Sequence, residues 1–199
     1  MIIRIIVAYN THVSTDEMVY SIIPFNIISA GKLGTVEQAP IFFYLTDIGY
    51  KLFGGITALS IRLTAIIFGS LTVFVIYLLS LELFKNKRIG LYSSFLYALS
   101  GFVLVNNYEM DMMAFFFALL SLLFFLYFLK GSRGNIYLSS FFMAIAVSTK
   151  PMVLLFLPAY LLVWFVVDWR KKSFLFFVKD KKIAINKKMF KTFLISIFI

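Results

Sequence analysis

Cysteine is absent from the 199 residues, charged side chains make up only 14%, and histidine occurs once. Without cysteine there is no disulfide framework and no thiolate metal site, and redox chemistry says nothing about compartment. With so little charge, a soluble fold would lack the polar surface to cover itself. His12 stands alone in a loop stretch, where a solvated ring is the ordinary state. Acidic residues are also few, nine against 19 Lys and Arg, which leaves a net charge of +10. That excess does not signal nucleic-acid binding. The cations fall in loops between apolar runs and form no basic face of a soluble domain. No internal repeat is evident.

What is abundant is apolar. Hydrophobic residues reach 62%, with 25 Phe, and the mean hydropathy is +0.96. A membrane-crossing helix needs roughly 20 apolar residues, within a range of about 17–25. Five stretches approach that length: 56–84, 89–105, 112–129, the short 136–149, and 152–169. A sixth begins near Phe190 and is cut off at Ile199. The expected fold class is an all-α, multi-pass transmembrane helical bundle of about five complete spans plus a truncated sixth. Residues 1–10 read as the remnant of a first apolar helix, 11–55 as an extracytoplasmic loop and 56–169 as the bundle. Residues 170–189 then form a basic cytoplasmic segment, and 190–199 open a truncated helix. On this reading the chain is part of a longer protein.

Lys and Arg set the orientation. Lys85, Lys87, Arg88, Lys130, Arg133 and nine basic residues in 170–191 put 14 of the 19 cations on one side, the expected cytoplasmic side. The other side carries six of the nine acidic residues: Asp16, Glu17, Glu37, Asp47, Glu109 and Asp111. Ser14-Thr15-Asp16-Glu17 fits a capping box, with Ser14 as N-cap and Glu17 three residues on. A helix is expected from there to about Ala30, ending at Gly31. A second should run from Pro40 to Gly54-Gly55. Both are short and aromatic, and are expected to lie in the membrane interface.

The order of these pieces resembles a known family. Asp16-Glu17 opens a loop helix. Glu37-Gln38-Ala39-Pro40 precedes an aromatic helix, and Lys51-Leu52-Phe53-Gly54-Gly55 closes it. Leu59-Ser60-Ile61-Arg62-Leu63, Glu109-Met110-Asp111 and Ser148-Thr149-Lys150-Pro151 follow. The chain resembles the GT-C membrane glycosyltransferases, nearest to the dolichyl-phosphate-mannose protein mannosyltransferase and aminoarabinose-lipid transferase group. The resemblance implies transfer of a sugar from a polyprenyl-phosphate carrier to a protein or lipid acceptor. The reaction would face outward from a membrane, most simply a prokaryotic plasma membrane.

Such a transfer passes through an oxocarbenium-like state. It needs a general base for the acceptor hydroxyl and positive charge for the departing phosphate. The resemblance makes Asp16 the base; an acidic residue in a helix's first turn is also favoured by the helix dipole alone. Glu17 is a second catalytic candidate and equally the capping-box partner. Glu37 matches a glutamate that binds a divalent cation (Mg, Mn or Zn) in the aminoarabinose branch. Gln38 replaces a lysine of that branch, and the family's histidine ligands would lie beyond Ile199. Asp111 and Glu109 are expected beside the donor or metal, with helix N-capping the plainer role for Asp111. Lys150 and Arg62 are expected on the donor phosphate, against snorkelling to the headgroups. The competing readings are a lipid or solute transporter or flippase, and an inactive fragment of the transferase. A transporter usually puts polar groups at mid-membrane on broken helices, often in repeated halves.

Overall fold

The computed structural model describes residues 1–30, 40–100, 104 and 110–162; the side chains of residues 16, 24–30 and 40 fall outside that set. Every regular element among the described residues is helical. They are α1 (Ile2–Asn10), α2 (Thr15–Ala30), α3 (Pro40–Phe53), α4 (Ala58–Phe84), α5 (Lys87–Leu99), α6 (Met110–Leu129) and α7 (Asn135–Thr149), followed by a 3-10 helix (Pro151–Phe156).

Local chemistry sets most of the boundaries. Thr57 caps α4 by accepting from the Ser60 amide at 3.1 Å, while the Ser60 hydroxyl accepts from the Thr57 amide at 2.7 Å. That reciprocal box satisfies two of the amides a helix start leaves open. Asn86 caps α5 through its contact with the Arg88 amide at 2.9 Å. Pro151 ends α7, because it has no amide to continue the ladder, and opens the 3-10 turn instead.

At 1.5 Å per residue, the 27 residues of α4 span about 40 Å and the 20 of α6 about 30 Å. Both match a hydrocarbon core of about 30 Å, and these two helices are long and apolar enough to cross a membrane. The other expected spans differ. In the stretch 89–105, α5 ends at Leu99 and its 13 residues reach about 20 Å. It stops at Ser100, which leaves the helical region (φ −58°, ψ 115°). Serine followed by Gly101 favours such a break, by side-chain competition and backbone freedom. The stretch 152–169 begins as 3-10 helix rather than α-helix. Residues 163–199, with the basic segment and the expected sixth helix, lie outside the described residues.

Helices α4 and α6 run parallel. Met112 at the start of α6 lies beside Gly69 of α4, and Lys130 after α6 meets Glu82 near the end of α4. α7 returns along α6, held midway by Ser121 and Ser139, both fully buried. Each hydroxyl donates to the other's carbonyl, at 2.6 and 2.9 Å. Their small side chains let the backbones approach, as apolar surroundings favour for helix pairs. The core between α6 and α7 holds Phe125, Leu126, Met143 and Ala146. α1 runs antiparallel to α4, and α2 and α3 form a hairpin that packs against α4 and the start of α6. One end of the bundle therefore collects the close of α1, the starts of α2, α4 and α6, and the close of α7. The opposite end carries Lys85, Lys87, Arg88, Lys130 and Arg133.

Candidate functional site

At the first of these ends, Arg62 sits one turn into α4 and is 1% exposed. A buried guanidinium is costly unless its donors are met. Here they are. Nε donates to Glu17 Oε1 and Nη2 to Glu17 Oε2, each at 2.8 Å, in the planar fork that arginine makes with a carboxylate. Nη2 also donates to the His12 carbonyl at 2.8 Å. Nη1 donates to the Thr11 hydroxyl at 2.9 Å and to the Thr11 and Ala8 carbonyls.

Glu17 is equally engaged. Its Oε2 accepts from the Ser14 amide at 2.7 Å, and its own amide donates to Ser14 Oγ at 3.1 Å. This is the capping box expected from the sequence. The two charges thus sit where helix polarity wants them. The cation lies on open carbonyls at the negative end of α1, the anion at the positive start of α2. One buried ion pair thereby ties α1, the turn 11–14, α2 and α4 together. Glu17 and Arg62, both expected at the site, hold each other. Asp16, in the first turn of α2, is the chain neighbour of this anchored glutamate; its side chain lies outside the described residues.

A second pair stands at the same end. Lys150 Nζ lies 2.5 Å from Asp111 Oδ1, bridging the close of α7 to the first turn of α6. The N-cap reading of Asp111 does not hold, because α6 begins at Met110 and Asp111 is already inside its first turn. The side chains of Lys150 and Asp111 remain 28% and 35% exposed. Apolar contacts connect the two pairs. Ala8, Ala65, Ile66 and Met112 form one cluster, and Phe42, Phe43, Met110 and Met113 form another with Tyr20 and Ile23.

Glu37 and Glu109 lie outside the described residues. Among the described residues, no three His, Asp or Glu side chains come together to hold a metal. A hard cation asks for six or more oxygen ligands. The described donors do not form that set.

Two buried charges escape a reading of the sequence for chemistry. Asp47 on α3 is 3% exposed, with Oδ2 2.7 Å from Lys51 Nζ and Oδ1 meeting no hydrogen-bond partner among the described residues. Arg4 on α1 is 3% exposed, with its guanidinium 5.6 Å from the centre of the Tyr97 ring. Gly69 makes room for it, since a Cβ there would lie 2.8 Å from Arg4 Nη1. The available signal was a lone cation inside the apolar run Met1–Asn10, which carries the same functional presumption as Arg62. Nearby, the Tyr50 hydroxyl donates to the Ser21 carbonyl at 3.0 Å, and burial pushes its pKa up to about 12.

Two helices long and apolar enough to cross a membrane, with two interhelical ion pairs at one end of the bundle, fit the class of integral membrane proteins. Residues 37–179, more than half of the chain, match the dolichyl-phosphate-mannose-protein mannosyltransferase family, and the chain belongs to that family. It is thus a GT-C-like membrane glycosyltransferase of the mannosyltransferase type, as the motif order implied, in a family defined by a lipid-linked sugar donor and protein acceptors. No curated protein and no solved structure matches the chain.

Proposed function

We propose that the protein moves a mannose-like sugar from a polyprenyl- or dolichyl-phosphate carrier to a hydroxyl of a protein or lipid acceptor, on the extracytoplasmic face, with Asp16 as general base. The acceptor oxygen attacks the sugar's C1 as the C1–O bond to phosphate breaks. The hydroxyl proton passes to Asp16, and polyprenyl phosphate departs with its electron pair. Attack opposite the leaving group inverts the anomeric centre. Lys150 meets the phosphate, and Asp111 lies beside it. Glu17 and Arg62 are positioning residues.

The observation that carries this reading is the Arg62–Glu17 fork. It anchors the turn that bears Asp16 at the end of the bundle where Lys150 and Asp111 meet. A base must stand within hydrogen-bond reach of the proton it takes, and a loop aspartate without such an anchor would sample many positions. The basic loops at the other end favour assigning the site to the outer face.

The test is sugar transfer from a polyprenyl-phosphate-mannose donor to a hydroxyl-bearing acceptor, with wild type and Asp16→Asn in membranes at matched expression. The expected result is a loss of about 10²–10⁴-fold in rate, with thermal unfolding unchanged. Transfer by Asp16→Asn at the wild-type rate removes Asp16 from the reaction.

A further inference from the structure

We propose, resting on that reading, that the Lys150–Asp111 pair is an exchangeable latch. The carrier phosphate takes Lys150 from Asp111 on binding, and Asp111 reclaims it as polyprenyl phosphate leaves. The geometry distinguishes this pair from the other charges at the same end. Arg62 has all its donors occupied by protein acceptors in a buried site, so it has none to hand over. Lys51 is held by Asp47 on its own helix. Lys150 instead bridges two helices, with both partners in contact with solvent. Partly exposed ion pairs contribute little to stability, so this one opens at low cost.

Lysine is also the suitable residue for exchange. Its ammonium has three rotatable donors on a flexible stem and can turn from one acceptor to another without the fixed fork that arginine needs. The anchor below it is firm. Lys150 is the C-cap of α7, its amide donates to the Ala146 carbonyl at 2.9 Å, and Pro151 starts the next turn. Its side chain can swing while its backbone stays in place.

The exchange has a direction. The donor is a phosphodiester with one negative charge. The product is a monoester that carries up to two near neutral pH, its second ionisation falling near pH 6. Lys150 therefore holds the product more tightly than the donor. A carboxylate at 2.5 Å competes with the dianion for the ammonium, and that competition speeds product release. Asp111 acts on the reaction through Lys150 and is a positioning residue.

The probe is polyprenyl phosphate itself, measured as equilibrium binding to the full chain in detergent and as product inhibition of transfer. Asp111→Asn is expected to bind it about tenfold more tightly, with donor KM and kcat both falling. Lys150→Met is expected to bind about tenfold more weakly, and Asp111→Asn/Lys150→Met to bind as Lys150→Met does. Lys51→Met should match wild type. Should Asp111→Asn unfold, Asp111→Ser takes its place, with the same tighter binding expected and the same results overturning the latch. Weaker or unchanged binding by Asp111→Asn, with Lys150→Met impaired, overturns the latch and leaves Lys150 as the phosphate ligand. Unchanged binding by Lys150→Met overturns both the latch and that assignment.

Discussion

The two ion pairs Arg62–Glu17 and Lys150–Asp111, at the same end of the bundle, have the same chemistry and opposite surroundings. Arg62–Glu17 is sealed, 1% and 5% exposed at the side chains, with two parallel hydrogen bonds and every remaining donor met. Lys150–Asp111 is a single contact open to solvent. Breaking a buried pair by removing one partner strands a charge in low dielectric and costs about 3–5 kcal/mol. Breaking an exposed pair costs about 0–1 kcal/mol, because water replaces the partner. Burial thus separates a joint that must not move from a contact that can be exchanged.

The largest expected effect tests the sealed pair. Glu17→Gln should lower stability by about 3–5 kcal/mol, read as thermal unfolding in detergent, with transfer lost. The paired change Glu17→Met/Arg62→Met should recover much of the stability and none of the transfer. If Glu17→Gln unfolds as wild type does, the joint is not what holds the turn. A middle effect falls on the α3–α4 contact. A Cβ on Gly49 would lie 2.9 Å from the Ser60 carbonyl, a backbone atom that cannot rotate away. Gly49→Ala should therefore cost about 1–3 kcal/mol and pull α3 away from the start of α4.

Tyr50 provides a pH handle on the same hairpin. Its folded pKa of about 12 stands above the ordinary 10.0, because burial disfavours the phenolate. A pKa raised by folding means the stabilisation is complete below pH 10 and lost as pH climbs to 12. Alkaline unfolding of wild type should fall more steeply across that window than that of Tyr50→Phe. Identical curves would show that Tyr50 titrates freely. The smallest effect belongs to the exposed pair. Asp111→Asn should change stability by less than about 1 kcal/mol while altering phosphate binding. A loss near that of Glu17→Gln would erase the distinction between the pairs.

Much of the fold was legible in order along the chain. The capping box at Ser14 and Glu17, the start of α3 at Pro40, and the limits of α4 and α6 all rest on contacts within a few residues. The break at Ser100 was not legible, because the apolar run continues through it and masks a local backbone choice. The candidate site was legible as a set of residue types in the loops that alternate with the basic ones. Its pairings were not: Arg62 and Glu17 are 45 positions apart, and each had a credible role alone.

By itself, the amino-acid order determined that this is a helical membrane protein of a sugar-transferring family, with most anions and most cations in alternate loops between the apolar runs. Hydropathy, loop charge and motif order are properties of neighbouring residues and need no fold to be read. Only the tertiary structure decided that Arg62 grips Glu17 and Lys150 grips Asp111, and that one pair is sealed and the other open. Desolvation depends on which helices close over a charge, and that is set by packing between distant segments.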